Sequence, residues 1–186
     1  MRNSIPTAAL SEFVNEVAGD PEEGLMSYGI EIDWESGTRA RTSTKPMLVG
    51  PHKISRSFTW KADEPRQLMG NNHGPNPQEL LLSGLGSCMM VAFVTGATAE
   101  GIQLESVKID FDGTLDLRGF MGLASNAPVG FPEINYTIYV TGDGTPEQFE
   151  ELHKKAVKHS PNAQTIMTPV SLTGDIVTTQ IEDQHR

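Results

Sequence analysis

The chain has 186 residues, 37% of them hydrophobic and 20% charged, enough for one domain with a real core and no demand for two. A formal charge of −10 with no run of Lys or Arg argues against a phosphate-binding stripe, so no nucleic-acid partner is expected. A single cysteine cannot close a disulfide within the chain, so the fold does not depend on an oxidising compartment.

In chain order, the first segment, MRNSIPTAALSEFVNEV, lacks the continuous apolar core of a signal peptide and carries Glu12 and Glu16 instead. A cytoplasmic location is expected. Ala9, Leu10, Phe13, Val14 and Val17 predict a helix over Thr7 to Ala18, which GDPEEG then breaks. Met26 to Trp34 and Thr38 to Thr44 alternate around ESG and predict a hairpin. Ile54 to Lys61 predicts a further strand, and MGNNHGPNP a turn-rich connection into a central helix. Asn76, Pro77 and Glu79 form a capping-box start with proline at the first helical position.

From Leu80 to Ala99 this helix carries no charge, which meets the length of about 20 residues that a membrane span needs. Gly84, Gly86, Gly96, Ser83, Ser87 and Thr95 dilute its hydrophobicity, and no basic cluster flanks it. A helix apolar all round also suits the centre of a soluble protein or dimer, and that is the expectation, with no membrane partner. Beyond it, VKIDFDG and INYTIYVT alternate as strands, the second with Ile134, Tyr136, Ile138 and Val140 on one face. Between them runs the long loop DLRGFMGLASNAPVGFPE, a length that often marks function. Phe149, Leu152, Ala156 and Val157 predict a second helix over Thr145 to Lys158, with Glu150 and Glu151 four residues before Lys154 and Lys155. SPNAQTI is expected to be a short turn into a last strand near Pro169 to Ile181. The pattern as a whole is α+β.

Cys88 lies about three turns into the central helix, on the order of 18 Å from its cap. The field of a helix terminus fades within its first turn, so a thiolate here needs a cation from elsewhere in the fold or from another subunit. Gly84, Cys88, Ala92 and Gly96 share one face, and such a small-residue stripe lets another helix approach closely. Cys88 is then either a small core residue or a nucleophile shielded from water. The five histidines, His52, His73, His153, His159 and His185, show no paired spacing, so no metal site is expected and no cofactor is implied. The helix starts at Asn76 and Thr145 could hold an anion, yet capping explains both.

The segment GPNPQELLLSGLGSC resembles the region around the peroxidatic cysteine of the OsmC/Ohr family, the osmotically induced and organic hydroperoxide resistance proteins. DLRGFMGL is similar to the same loop in an OsmC-like subgroup. The resemblance implies an OsmC-like domain over residues 24–186, preceded by a helical extension over 1–23. It implies an intertwined α+β homodimer, with central buried helices covered by antiparallel β-sheets. It also implies thiol-dependent reduction of organic hydroperoxides with Cys88 as the catalytic residue, and an external thiol or dithiol as reductant. The chain departs from that pattern where the family has its resolving cysteine, here Ser160, and where the family has its catalytic glutamate, here Gln78. The family's arginine has no clear counterpart; Lys61, Arg66, Arg39, Arg41, Arg56 and Arg118 are candidates. Two functions stand open. One is a one-cysteine peroxidase whose small apolar hydroperoxide meets Phe120, Met121 and Met89. The other is an OsmC-fold protein that binds an apolar small molecule without peroxidase activity.

Overall fold

A computed structural model describes residues 1–178 of the chain. Helix α1 (Thr7–Gly19) is followed by five short strands: β1 (Met26–Ser27), β2 (Ile30–Ser36), β3 (Arg39–Thr44), β4 (Met47–Val49) and β5 (His52–Ile54). Strand β6 (Thr59–Ala62) leads through a connecting loop into the long helix α2 (Pro77–Ala99). Strand β7 (Leu104–Gly113), a one-turn helix α3 (Leu117–Phe120), strand β8 (Ile134–Gly142), α4 (Pro146–His159) and α5 (Pro161–Met167) complete it. All pairing is antiparallel, in three sheets of order β1-β4-β5, β2-β3-β6 and β7-β8. The α+β expectation is met.

The cap of α2 is built as its sequence dictates. The Glu79 N–H donates to Asn76 Oδ1 at 2.8 Å, and the Asn76 N–H donates to Glu79 Oε2 at 2.7 Å. One side of the helix is core. Phe93 and Ala97 pack with Ile102 and with Leu152 and Ala156 of α4; Leu85 and Met89 pack with Ala163 of α5. Ile109, Phe111, Ile134, Tyr136, Ile138 and Val140 bring the inner face of β7-β8 onto these clusters, as their alternation predicts. Gly86 allows that approach, because a Cβ there would lie 2.8 Å from the Phe111 ring. Among the described residues α2 is the one helix long and apolar enough to cross a membrane, yet this side of it is covered by protein.

The other layer keeps to itself. Strands β2, β3 and β6 make their main contacts with one another, whereas α2 makes its own with α4, α5 and β7. Ile30, Ile32 and Trp34 of β2 are exposed, Trp34 at 77%. Helix α1 forms where expected, but none of its residues is buried. The extension is tied down by Asn3, which donates to Thr98 Oγ1 and the Ile102 carbonyl and accepts from the Leu104 N–H at 2.8 Å.

Four elements differ from the sequence expectation. Ile54 to Lys61 is not one strand: Ile54 ends β5 and Thr59 begins β6, in different sheets. Ile54, Arg56, Phe58 and Trp60 are all exposed, so no buried face enforces a continuous register there. The hairpin starts at Ile30, because Met26 and Ser27 pair with Val49 and Leu48 instead. SPNAQTI is a helix, α5, capped by Ser160 and anchored by buried Ala163. Residues 169–178 form no strand, and the remainder of that expected strand, 179–181, lies outside the described residues.

The connection from β6 to α2 is held by one buried carboxylate. Asp63, 2% exposed, accepts hydrogen bonds from the Thr38 hydroxyl at 2.8 Å and from the N–H groups of Glu64, Asn71 and His73. The His73 ring lies 3.1 Å from the same carboxylate. Burial works against the charge on Asp63, but the donors from Thr38, His73 and Asn71 outweigh it and hold the pKa well below the ordinary 3.8. The loop is tight at its centre: a Cβ on Gly70 would sit 1.7 Å from the Glu64 carbonyl oxygen.

Two outcomes are expected. A depressed folded-state pKa means that the contribution of Asp63 is complete above its ordinary pKa of 3.8 and is lost as pH falls below it. Urea midpoints measured from pH 7 to pH 2 are therefore expected to show Asp63→Asn already destabilised at neutral pH and losing less than wild type on acidification. Leu152→Ala, which empties the contact between α2 and α4, is expected to cost about 2–5 kcal/mol in the same assay.

Candidate functional site

Cys88 is a free, half-buried thiol on the third turn of α2. Helical spacing puts it on one face with Gly84, Ala92 and Gly96, and with the exposed Leu81 and Val91. Elements of the same chain use the two ends of this stripe. The Gly84 carbonyl accepts a hydrogen bond from Asn162 Nδ2 at 2.8 Å, and a Cβ on Gly96 would lie 3.1 Å from the Leu152 side chain. Ser160, in the place of the expected second thiol, is fully buried at the joint of α4 and α5. Its hydroxyl accepts from the Ala163 N–H at 3.3 Å, so it works as a helix cap.

A cleft of about 730 Å³ lies between α1 and the second half of α2, over Ala92 and Gly96, and two more open along the first half of α2, on faces other than that of Cys88. Of these two, the smaller, about 420 Å³, lies over Ser83, Gly86, Ser87 and Met90, against Ile109 and Phe111. The larger, about 460 Å³, runs between Leu68 and Met69 of the β6–α2 loop, Gln78 of the helix, and Phe120, Met121 and Phe131 of the long loop. Cys88 lines neither. Of the three residues expected around a hydroperoxide, Phe120 and Met121 line the larger cleft. Met89 does not: it is 1% exposed and packs in the core against Leu85 and Ala163. The helical period explains this, since one residue beyond Cys88 the chain has turned about 100° toward α5.

Four of the six candidate cations have side-chain partners elsewhere. Arg39 and Lys61 converge on Glu35 at 2.8 and 2.9 Å. The hydrogen bond from Lys61, opposed by desolvation and helped by Arg39, keeps the Glu35 carboxyl below its usual range. Arg118 is held by Asp116, whose pKa its side-chain hydrogen bonds lower. Arg56 stacks over the Phe58 ring at 4.7 Å. Arg41 faces Asp33 and Lys61 across the β-ladders, and Arg66 opens a short 3-10 turn before Met69. Among the described residues none of these six is hydrogen-bonded to the thiol.

The helix starts that could hold an anion are already filled. Glu79 occupies the Asn76 cap, and Gln148 Oε1 accepts from the Thr145 N–H at 2.8 Å. Among the described residues no group of three His, Cys, Asp or Glu side chains is placed to hold a metal ion. His153 meets the Tyr136 hydroxyl at 2.7 Å. The feature that sequence reasoning missed is the Asp63 loop and Glu64, which lines the larger cleft. Only the clustering of charge in FTWKADEPRQ pointed to it, and that carries no period.

The comparisons with known proteins agree with this architecture. The chain resembles an OsmC-like protein from Mycoplasma pneumoniae, with TM-score 0.61 and 19% identity over 76% of this chain and 87% of that one. An OsmC-like protein of unknown function from Vibrio cholerae gives 0.58 and 15% over 76% and 94%. An organic hydroperoxide resistance protein from Elizabethkingia anophelis gives 0.52 and 18% over 77% and 91%. At these identities the likeness is one of fold. A search of curated protein sequences finds no match. The model of the family described as OsmC-like protein matches residues 70–174, which span α2, both inner strands, α4 and α5. With more than half its length inside that match and the motif at Asn76 in place, the chain belongs to the OsmC-like family.

Proposed function

We propose that the protein is a cytoplasmic homodimer that reduces small apolar hydroperoxides through Cys88, with an external thiol or dithiol completing the cycle. The observation that carries this reading is the position of the chain's one thiol. It stands on the small-residue face of the helix whose cap bears the family motif, beside apolar side chains that one protomer leaves open. Val91, three residues from Cys88, is 63% exposed, and Leu81, two turns away on the same face, is exposed as well. A second copy laid on this face would bury them, enclose the thiol in apolar surroundings and bring in a cation that the single protomer does not put beside it.

In this reaction the Cys88 thiolate attacks the distal oxygen of the hydroperoxide. The O–O bond breaks, the alkoxide leaves and takes a proton to become the alcohol, and the sulfur becomes a sulfenic acid. One thiol then displaces water to form a mixed disulfide, and a second thiol releases Cys88 as a disulfide forms between the two reductant sulfurs. Ser160 cannot supply either sulfur, so both come from outside the chain.

The second reading, a small-molecule-binding protein without turnover, is favoured by one specific arrangement. Gln78 lines the larger cleft, whose walls are mostly apolar, while Cys88 does not. Turnover of cumene hydroperoxide with dithiothreitol, and separately with a lipoyl dithiol, decides between them. The expected result is activity in wild type that falls to the uncatalysed rate in Cys88→Ser; no turnover by wild type would move the protein to the binding class. The homodimer is tested by light scattering, where a mass twice the 20.2 kDa of one chain is expected. Val91→Asp, which puts a charge on the open face, is expected to shift that mass to the monomer's and to abolish turnover with it.

A further inference from the structure

We propose that His73 is a proton-operated switch at the rim of the larger cleft. In its neutral form Nδ1 accepts a hydrogen bond from Arg39 and ties the β6–α2 loop to the hairpin of β2 and β3. In its protonated form Nδ1 donates to Asp63, and Arg39 is released. This inference is independent of the hydroperoxide reading. It rests on one nitrogen whose two partners make opposite demands. Arg39 Nη1 lies 3.2 Å from His73 Nδ1, and Asp63 Oδ2 lies 3.1 Å from the same atom. A guanidinium only donates and an ionised carboxylate only accepts. The first contact therefore needs a bare nitrogen and the second an N–H, and no single protonation state serves both.

The other partners decide which contact each state keeps. Asp63 already accepts from the Thr38 hydroxyl and from the N–H groups of Glu64, Asn71 and His73, which fills about four lone-pair positions of a carboxylate. A neutral ring gains little by adding a fifth donor there, and with its proton on the outer Nε2 it gives Arg39 an acceptor. A protonated ring has no bare nitrogen and repels Arg39, while the Asp63 side chain, 1% exposed against 52% for His73, attracts it. Arg39 then keeps its bonds to Glu35 Oε2 at 2.8 Å and Ser36 Oγ at 3.1 Å, so it gives up one contact of three. Of the charged groups around the ring, Asp63 and Arg39 touch it, Glu35 and Lys61 stand behind Arg39, and Glu64 follows Asp63 in the chain.

The loop does not let the ring escape this conflict by swinging away. Met69 and Asn72 are fixed in left-handed turns at φ 67° and 59°, and Gly74 packs directly on the Lys61 carbonyl. Leu68 and Met69 of this loop, and Thr38 beside Arg39 on the hairpin, line the cleft on either side of the switch. The protonation of His73 is thus expressed as the loss of a tie across the cleft's rim.

Long-range proton–nitrogen NMR spectra of the isotope-labelled full-length protein show which ring nitrogens carry a proton, and His73→Ala identifies the His73 signals among the five histidines. In wild type, neutral His73 is expected to carry its proton on Nε2 and to leave Nδ1 bare. In Arg39→Met, where the Asp63 contact is the one left, that proton is expected to move to Nδ1. A double-mutant cycle of Arg39→Met and His73→Ala, read as unfolding equilibrium constants, supplies the second measurement. The expected coupling is about 2- to 10-fold in favour of the folded state at about pH 8, and absent or reversed at about pH 5, either side of the range in which histidines take up a proton. Asp63 and Glu35 stay charged at both, because their hydrogen-bond donors hold both carboxyls below their ordinary values. A proton on Nδ1 in neutral wild type, the same tautomer in folded Arg39→Met, or a coupling equal at the two pH values would each overturn the proposal. The wild-type spectra decide even where a variant does not fold.

Discussion

Helix α2 is apolar on every side, and the chain's own elements cover only some of them. Leu85, Met89, Phe93 and Ala97 are buried against α4, α5 and the β7-β8 ribbon, while Leu81 and Val91 stay open. At roughly 25 cal/mol per Å² of apolar surface, leaving such a face in water forfeits a large part of what a small domain gains on folding. The rest of the chain is arranged around this imbalance. Small residues at Gly84, Gly86 and Gly96 let partners approach the helix backbone, and a reciprocal cap at Asn76 and Glu79 fixes where the helix begins.

That arrangement separates two chemical features along one helix. Cys88 sits on the stripe of small residues, whereas Gln78 and Glu79 border a cleft walled by the β6–α2 loop and the long loop before β8. The cleft carries the aromatic lining, and Cys88, the chain's one thiol, lies outside it. Ser160, spent on capping α5, contributes to neither.

What could be seen in the sequence was what local chemistry decides. Asn76, Pro77 and Glu79 announce a helix start because their hydrogen bonds close within one turn. Ile134, Tyr136, Ile138 and Val140 announce a strand because one buried face imposes a period of two. The failures have the opposite cause. Ile54 to Trp60 alternate without a buried face, so their pattern carried no information about a continuous strand. Helix α5 is too short to show a period, and it depends on Ala163 reaching Leu85 and Met89 across the fold. The setting of Cys88 was legible only as a position, since what covers it is decided by elements far away in sequence or by another copy. Glu64 showed only as one charge among several in FTWKADEPRQ, because its setting is made by Asp63 and Gly70 folding the loop around it.

The larger cleft also has a mechanical meaning. Its walls come from two units that otherwise pack mainly within themselves: the β2-β3-β6 sheet with the Asp63 loop on one side, and α2 with β7 on the other. Units of this kind open by separate local fluctuations, each with its own free energy. A molecule held between Met69 and Phe131 touches both at once, so it couples their opening and makes two independent fluctuations into one. Occupancy of the cleft is then recorded in the cooperativity of the whole domain, including the helix that carries the thiol on its far face.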